Sequence, residues 1–119
     1  MQQASVRSAL VVEDHAASRE ALRRLLRALG HETDAVSTVA EAGRRIGSAD
    51  FLFLDLHLTD GNGLDLLRRI RADRIPVKVA VMTGSASEAL LAEVKTLRPD
   101  ALFIKPIDFG EVVEWLRGA

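Results

Sequence analysis

The sequence has no cysteine. That excludes disulfides, thiolate metal sites and a cysteine nucleophile, and it fits a reducing compartment. Neither sign of charge dominates: 16 basic residues stand against 17 acidic ones, for a net charge of -1. No overall positive field therefore draws the chain to nucleic acid. No apolar run approaches the ~20 residues of a membrane span. Arg7 lies near the start, but no long apolar stretch follows it, so no signal peptide is expected. The expectation is a soluble, cytoplasmic protein that uses neither membrane nor nucleic acid as a partner. What the chain does have is ordinary: 48% hydrophobic and 28% charged residues over 119 positions. This balance argues against disorder, and the length predicts one domain over residues 1–119, with a core spanning about 8–117.

Four short apolar runs are spaced along the chain: Ala9 to Val12, Phe51 to Leu54, Val79 to Met82 and Ala101 to Ile104. Runs this short and continuous read as strands buried on both faces, as in a parallel sheet. Glu32 to Val36 is weaker and reads as an edge strand. Helical periods fill the gaps. Leu22, Leu25, Leu26 and Leu29 form one stripe opposite Arg23, Arg24 and Arg27, with Gly30 as the stop. Thr38 to Ile46 predicts a second helix, with Thr38 and Glu41 spaced as a capping box. Leu64, Leu67 and Ile70 mark a third, ended before Pro76. Leu90, Val94 and Leu97 mark a fourth, capped by Ser85 or Ser87. Val112, Val113 and Leu116 mark a fifth behind the cap Asp108. Five strand–helix units with right-handed crossovers predict a three-layer α/β sandwich around a five-stranded parallel sheet.

In open α/β sheets, ligands bind beyond the carboxyl ends of the strands. The residues at those ends are Glu13 and Asp14, then Asp55, then Thr83 with Gly84 and Ser85, then Lys105 with Pro106. Three carboxylates, a hydroxyl and an ammonium are thus expected on one edge. Two unit charges ~5 Å apart repel by ~3 kcal/mol at an effective dielectric of ~20, so the carboxylates call for a cation. Mg2+, a hard ion that takes oxygen ligands, suits them. Neutralising Asp14 or Asp55 is accordingly expected to raise the melting temperature of the metal-free chain. A metal, an ammonium and a small hydroxyl facing one carboxylate can stabilise a phosphoryl group on it. Asp55, standing alone at a strand end, is the natural nucleophile.

The pieces Val11-Val12-Glu13-Asp14, Leu54-Asp55-Leu56 followed by Asp60-Gly61-Asn62-Gly63, Met82-Thr83-Gly84 and Lys105-Pro106 occur in this order at the strand ends. Over nearly its whole length the chain resembles a response-regulator receiver domain of two-component signalling, in the CheY-like superfamily. The resemblance implies the flavodoxin-like strand order 2-1-3-4-5. It implies that Asp55 is the phosphoacceptor, fed by a histidine kinase or histidine phosphotransfer protein. It implies that Asp14 and Asp55 contact magnesium directly, that Glu13 helps through water, and that the His57 backbone carbonyl completes the ligands. Thr83, Gly84 and Lys105 would form the phosphoryl-binding and switch set, and the Lys105–Pro106 peptide would be cis. Output would pass to an effector protein or a second copy through the fourth helix, fifth strand and fifth helix. The chain would be a phosphoacceptor regulator and not an enzyme, beyond self-phosphorylation from donors and self-dephosphorylation.

Two positions depart from the family pattern. Thr59 stands where Pro is common, and Leu102 stands three residues before Lys105, where many members carry Tyr or Phe. Phe103 is one residue off, so it is expected on the other sheet face. His15 and His31 read as surface residues, and His57 as an exposed loop residue or a neighbour of the phosphoryl group. The Arg23, Arg24 and Arg27 face reads as solvated, with kinase docking as the functional alternative. Trp115 reads as a cover for neighbouring apolar surface. Two other functions use the same residues. Phe51 to Thr59 resembles the first motif of haloacid-dehalogenase-like phosphatases, but His57 occupies the place of the second Asp. A receiver-like interaction module that is never phosphorylated is the third reading.

Overall fold

The computed structural model describes residues 7–84 and 87–119. In chain order the elements are β1 (Ser8–Val12), α1 (Ala16–Ala28), β2 (Glu32–Val36), α2 (Val39–Arg45), β3 (Phe51–Asp55), α3 (Gly63–Ala72), β4 (Lys78–Thr83), α4 (Glu88–Thr96), β5 (Ala101–Ile104) and α5 (Phe109–Gly118). Between β3 and α3, His57–Leu58 pairs antiparallel with Gly61–Asn62. Among the described residues, one parallel sheet runs β2-β1-β3-β4-β5. This is the expected order, and it reverses beside β1 and β3, where Val12 pairs with Leu54.

The period of two along each strand divides the core. Ala9, Val11, Phe51, Phe53, Ala80, Met82 and Phe103 face α1 and α5, where they meet Leu22, Leu26 and Val112. Leu10, Val12, Leu52, Leu54, Val79 and Val81 face the other layer and meet Ala42, Leu67, Ile70 and Val94 from α2, α3 and α4. Two buried faces explain why these strands read as continuous apolar runs instead of alternating ones.

The caps follow the local chemistry. Thr38 Oγ1 accepts the Glu41 amide at 3.1 Å, the first half of the expected capping box, while the Glu41 carboxylate accepts from the Thr38 hydroxyl at 3.2 Å. Asp108 Oδ1 accepts the Gly110 amide at 2.8 Å. Ser87 caps α4, accepting the Leu90 amide at 3.4 Å; Ser85, the other residue proposed for that cap, lies outside the described residues. Gly30 ends α1 at φ 94°, a conformation that costs a side-chain-bearing residue energy.

His15 caps α1, with Nδ1 accepting the Ser18 amide at 3.3 Å. Two expectations need correction. Leu29 leaves the apolar stripe and is 42% exposed, because α1 ends before it. His31 is half-buried, its ring meeting Phe51 edge-on at 6.0 Å, with a buried Nδ1.

Candidate functional site

Strand register assembles the site. Val12 pairs with Leu54, so the next residues, Glu13 and Asp55, lie side by side. Asp55 pairs with Met82, and Thr83 pairs with Ile104, so Thr83 and Lys105 end the neighbouring strands. Continued alternation puts Glu13, Asp55 and Lys105 on the α1/α5 side of the sheet, and Thr83 on the same side as Leu102. The Lys105 amide donates to the Thr83 carbonyl at 2.8 Å, which ties the two strand ends.

Glu13, Asp55 and Thr83 are buried, while Asp14 is half-buried. One carboxylate oxygen each from Glu13, Asp14 and Asp55 lies within 4.8 Å of the others. The Lys105 ammonium spans two of them, donating to Glu13 Oε1 at 2.6 Å and Asp55 Oδ2 at 2.7 Å. The second oxygens take backbone donors. The His57 amide donates to Asp55 Oδ1 at 3.0 Å, and the His15 amide donates to Glu13 Oε2 at 3.3 Å. His57 itself is exposed, and Gly84 is exposed with open space around it. The Lys105–Pro106 peptide is cis, as the resemblance implied.

These contacts polarise the trio. Burial pushes the Glu13 carboxyl up, and sharing a hydrogen bond with Asp55 pushes it further. Burial works the same way on Asp55, but hydrogen bonds from Glu13, Lys105 and the His57 amide outweigh it and hold this carboxyl below its usual value. These contacts favour the anionic form of Asp55, which is the form a nucleophile needs. Burial opposes the charge on Lys105, yet its bonds to Asp55 and Glu13 raise its pKa. Three carboxylates against one ammonium leave an excess of negative charge on hard oxygen donors, a set that fits a divalent cation such as Mg2+.

Three neighbours have structural roles that the sequence reading did not assign. Arg19 reaches back from α1 to the carbonyls of Glu13 and Asp14, at 3.0 and 3.3 Å. Asp60 accepts the Val39 and Ala40 amides at 2.8 and 3.2 Å, fastening the loop after Asp55 to the start of α2. Gly63 lets α3 touch the backbone of Asp55: a Cβ there would lie 2.3 Å from the Asp55 carbonyl oxygen. An arginine one turn into the helix that follows an acidic strand end was the one available signal for Arg19. The Asp60 contact spans 21 residues and left none.

At the switch position, Leu102 is half-buried and packs on the α2–α3–α4 side. Phe103 lies on the opposite face, under Trp115, with ring centroids 6.2 Å apart. Trp115 also meets Phe51 and Phe53 edge-on, each at 5.7 Å, so it covers apolar core as expected.

Comparison with known proteins agrees with this architecture. The family model for the response regulator receiver domain matches residues 9–117. The chain is similar to the virulence transcriptional regulatory protein PhoP of Salmonella choleraesuis, 35% identical over 106 residues, covering 87% of this chain and 47% of that protein. It is similar to the photosynthetic apparatus regulatory protein RegA of Rhodovulum sulfidophilum, 38% identical over 112 residues, covering 88% of this chain and 58% of that one. Among solved structures it superposes on a response regulator receiver protein from Pseudomonas putida with TM-score 0.89 and 28% identity, covering 98% of this chain and all of the other. The chain spans about half the length of these two curated relatives, and 23% of the DNA-binding transcriptional regulator NtrC of Azospirillum brasilense, to which it is 34% identical over 113 residues. These similarities do not favour the phosphatase reading. No helix among the described residues is long and apolar enough to cross a membrane.

Proposed function

The chain belongs to the response regulator receiver domain family of two-component signalling, and from that membership we propose that Asp55 is its phosphoacceptor. The observation that carries this reading is the Asp55 carboxylate itself. It is buried, kept anionic, gripped by Lys105 at 2.7 Å, and set within 4.8 Å of two further carboxylates. Asp55 attacks the phosphorus of a phosphohistidine on a histidine kinase or phosphotransfer protein. The new O–P bond forms as the P–N bond breaks, and the electron pair stays with the imidazole nitrogen, which takes up a proton. Lys105 and Thr83 bind the phosphoryl oxygens. Asp14, Asp55 and the His57 carbonyl would hold magnesium, with Glu13 helping through water, and the ion would supply charge neutralisation for the incoming group.

Receiver domains of response regulators are regulators and not enzymes in general, and this chain turns over only its own acyl phosphate. The described fold accounts for residues 7–84 and 87–119, and we read the whole chain as one domain with its core at about 8–117, working in the cytoplasm. Output passes through the face made by α4, β5 and α5 to an effector protein or a second copy.

The test is labelling by acetyl phosphate with magnesium, read as an acid-labile phosphoryl adduct by mass spectrometry. The wild type takes one adduct and Asp55→Asn takes none. An equal adduct on Asp55→Asn moves the acceptor elsewhere, and no adduct on the wild type leaves a receiver-like interaction module.

A further inference from the structure

The acidic turn between β1 and α1 carries two of the three carboxylates, so its backbone decides where they point. Three ties hold it. The Glu13 amide donates to the Val36 carbonyl at 3.1 Å, and the His15 amide donates to the Glu13 carboxylate at 3.3 Å. The third tie is Arg19, whose single nitrogen Nη1 donates to the carbonyl oxygens of both Glu13 and Asp14.

This use of an arginine is unusual for its surroundings. A guanidinium near carboxylates normally pairs with one, as Arg23 does with Glu20 at 2.5 Å. Among the described residues Arg19 forms no ion pair. It grips the main chain of the acidic residues and leaves their carboxylate oxygens to other partners. Half-buried on the first turns of α1, it links the helix to the turn directly.

We propose that Arg19 is a positioning residue for the acidic turn, holding Glu13 and Asp14 in the arrangement that takes up a divalent cation. The inference rests on the reading of Glu13, Asp14 and Asp55 as a magnesium site. Its sign separates it from a plain charge effect. A guanidinium beside the site repels a cation, so deleting a residue that acted only through its charge would tighten magnesium binding. Deleting a residue that acts by position weakens it, and residues that orient metal ligands typically change affinity by about 10–100-fold. Both contacts come from one nitrogen, so the forked shape of arginine is not required. A lysine, which keeps one donor and the charge, recovers much of the function.

The experiment is calorimetric titration of the full chain with magnesium chloride, comparing wild type, Arg19→Ala, Arg19→Gln, Arg19→Lys and the control Arg23→Ala. Acetyl phosphate labelling is followed over the same magnesium range. We expect Arg19→Ala and Arg19→Gln to raise the magnesium Kd about tenfold, Arg19→Lys to recover most of that loss, and Arg23→Ala to match wild type. Labelling at saturating magnesium returns close to the wild-type rate, and only its half-maximal magnesium concentration moves. Should Arg19→Ala not fold, Arg19→Gln decides. Unchanged or tighter magnesium binding in the neutral variants overturns the positioning role, as does a loss that lysine does not recover. A wild type that neither binds magnesium nor takes label instead refutes the site reading, and this inference falls with it.

Discussion

The approach of α3 to the Asp55 backbone can be broken with one methyl group. In Gly63→Ala the added Cβ would lie 2.3 Å from the Asp55 carbonyl oxygen and 3.1 Å from the Leu56 Cα. Both obstacles are main chain, and the Gly63 amide already donates to the Leu56 carbonyl at 3.0 Å. No side chain can swing away, so α3 or the end of β3 must move by about 1 Å to reach ordinary contact. Overpacking of this kind costs about 1–3 kcal/mol, and a clash with backbone belongs at the upper end. At roughly 4 °C per kcal/mol for a domain of this size, the melting temperature should fall by about 12 °C. The same shift displaces Asp55 from Lys105 and the His57 amide, and a misplacement of ~1 Å can cost ~100-fold in rate. Gly47→Ala is the control, since nothing lies within 4 Å of its Cβ. Gly43→Ala is a second control, because its only close neighbour is the end of the Arg69 side chain at 3.1 Å. Differential scanning calorimetry and acetyl phosphate labelling read both effects. If Gly63→Ala melts within ~2 °C of wild type and labels normally, the close approach is not a constraint.

Five further outcomes are expected. Magnesium at 100 times its Kd should raise the melting temperature by about 10 °C, from ~2.7 kcal/mol of mass action. Asp14→Asn should stabilise the metal-free chain and shrink that increment; Asp55→Asn should not stabilise it, because Lys105 already pairs with Asp55 at 2.7 Å. Asp60→Ala should lower the melting temperature by removing the acceptor for two α2 amides. Those amides hold the Asp60 carboxyl below its ordinary 3.8, so its contribution is present above that pH and fades as pH falls through the lower folded value. The gap between wild type and Asp60→Ala should therefore close in strong acid, and a constant gap would contradict the assignment. Arg71 caps the end of α4, donating to the Leu97 and Arg98 carbonyls at 3.0 and 2.7 Å. Among the described residues of α4, Val94 alone is buried, so Arg71→Ala should speed amide exchange across α4 while β3 stays protected. Beryllofluoride with magnesium should change Trp115 emission only modestly, because Leu102 at the switch position has no ring to rotate; a large change would show that the aromatic is not needed.

The sequence by itself determined the elements and which residues reach the sheet edge. Short apolar runs such as Phe51 to Leu54, spaced between helical periods, read as strands buried on both faces, and a strand buried on both faces fixes the layers around it. Since each of these strands ends in a polar residue, Glu13, Asp55, Thr83 and Lys105 were legible as one cluster before any distance was known. The Thr38 cap on α2 was equally local, being written within four residues. Tertiary structure decided what depends on register and on contacts distant in sequence. A one-residue slip of β1 against β3 would separate Glu13 from Asp55 while leaving every local pattern intact. Lys105 meets Glu13 across 92 residues and Asp55 across 50, and the second contact, not any motif, gives Asp55 the partner that a neutral variant would lose. Arg19, Asp60 and Gly63 act through backbone atoms, and a main-chain carbonyl or amide is the same at every position of a sequence, so their roles appear only once the chain is folded.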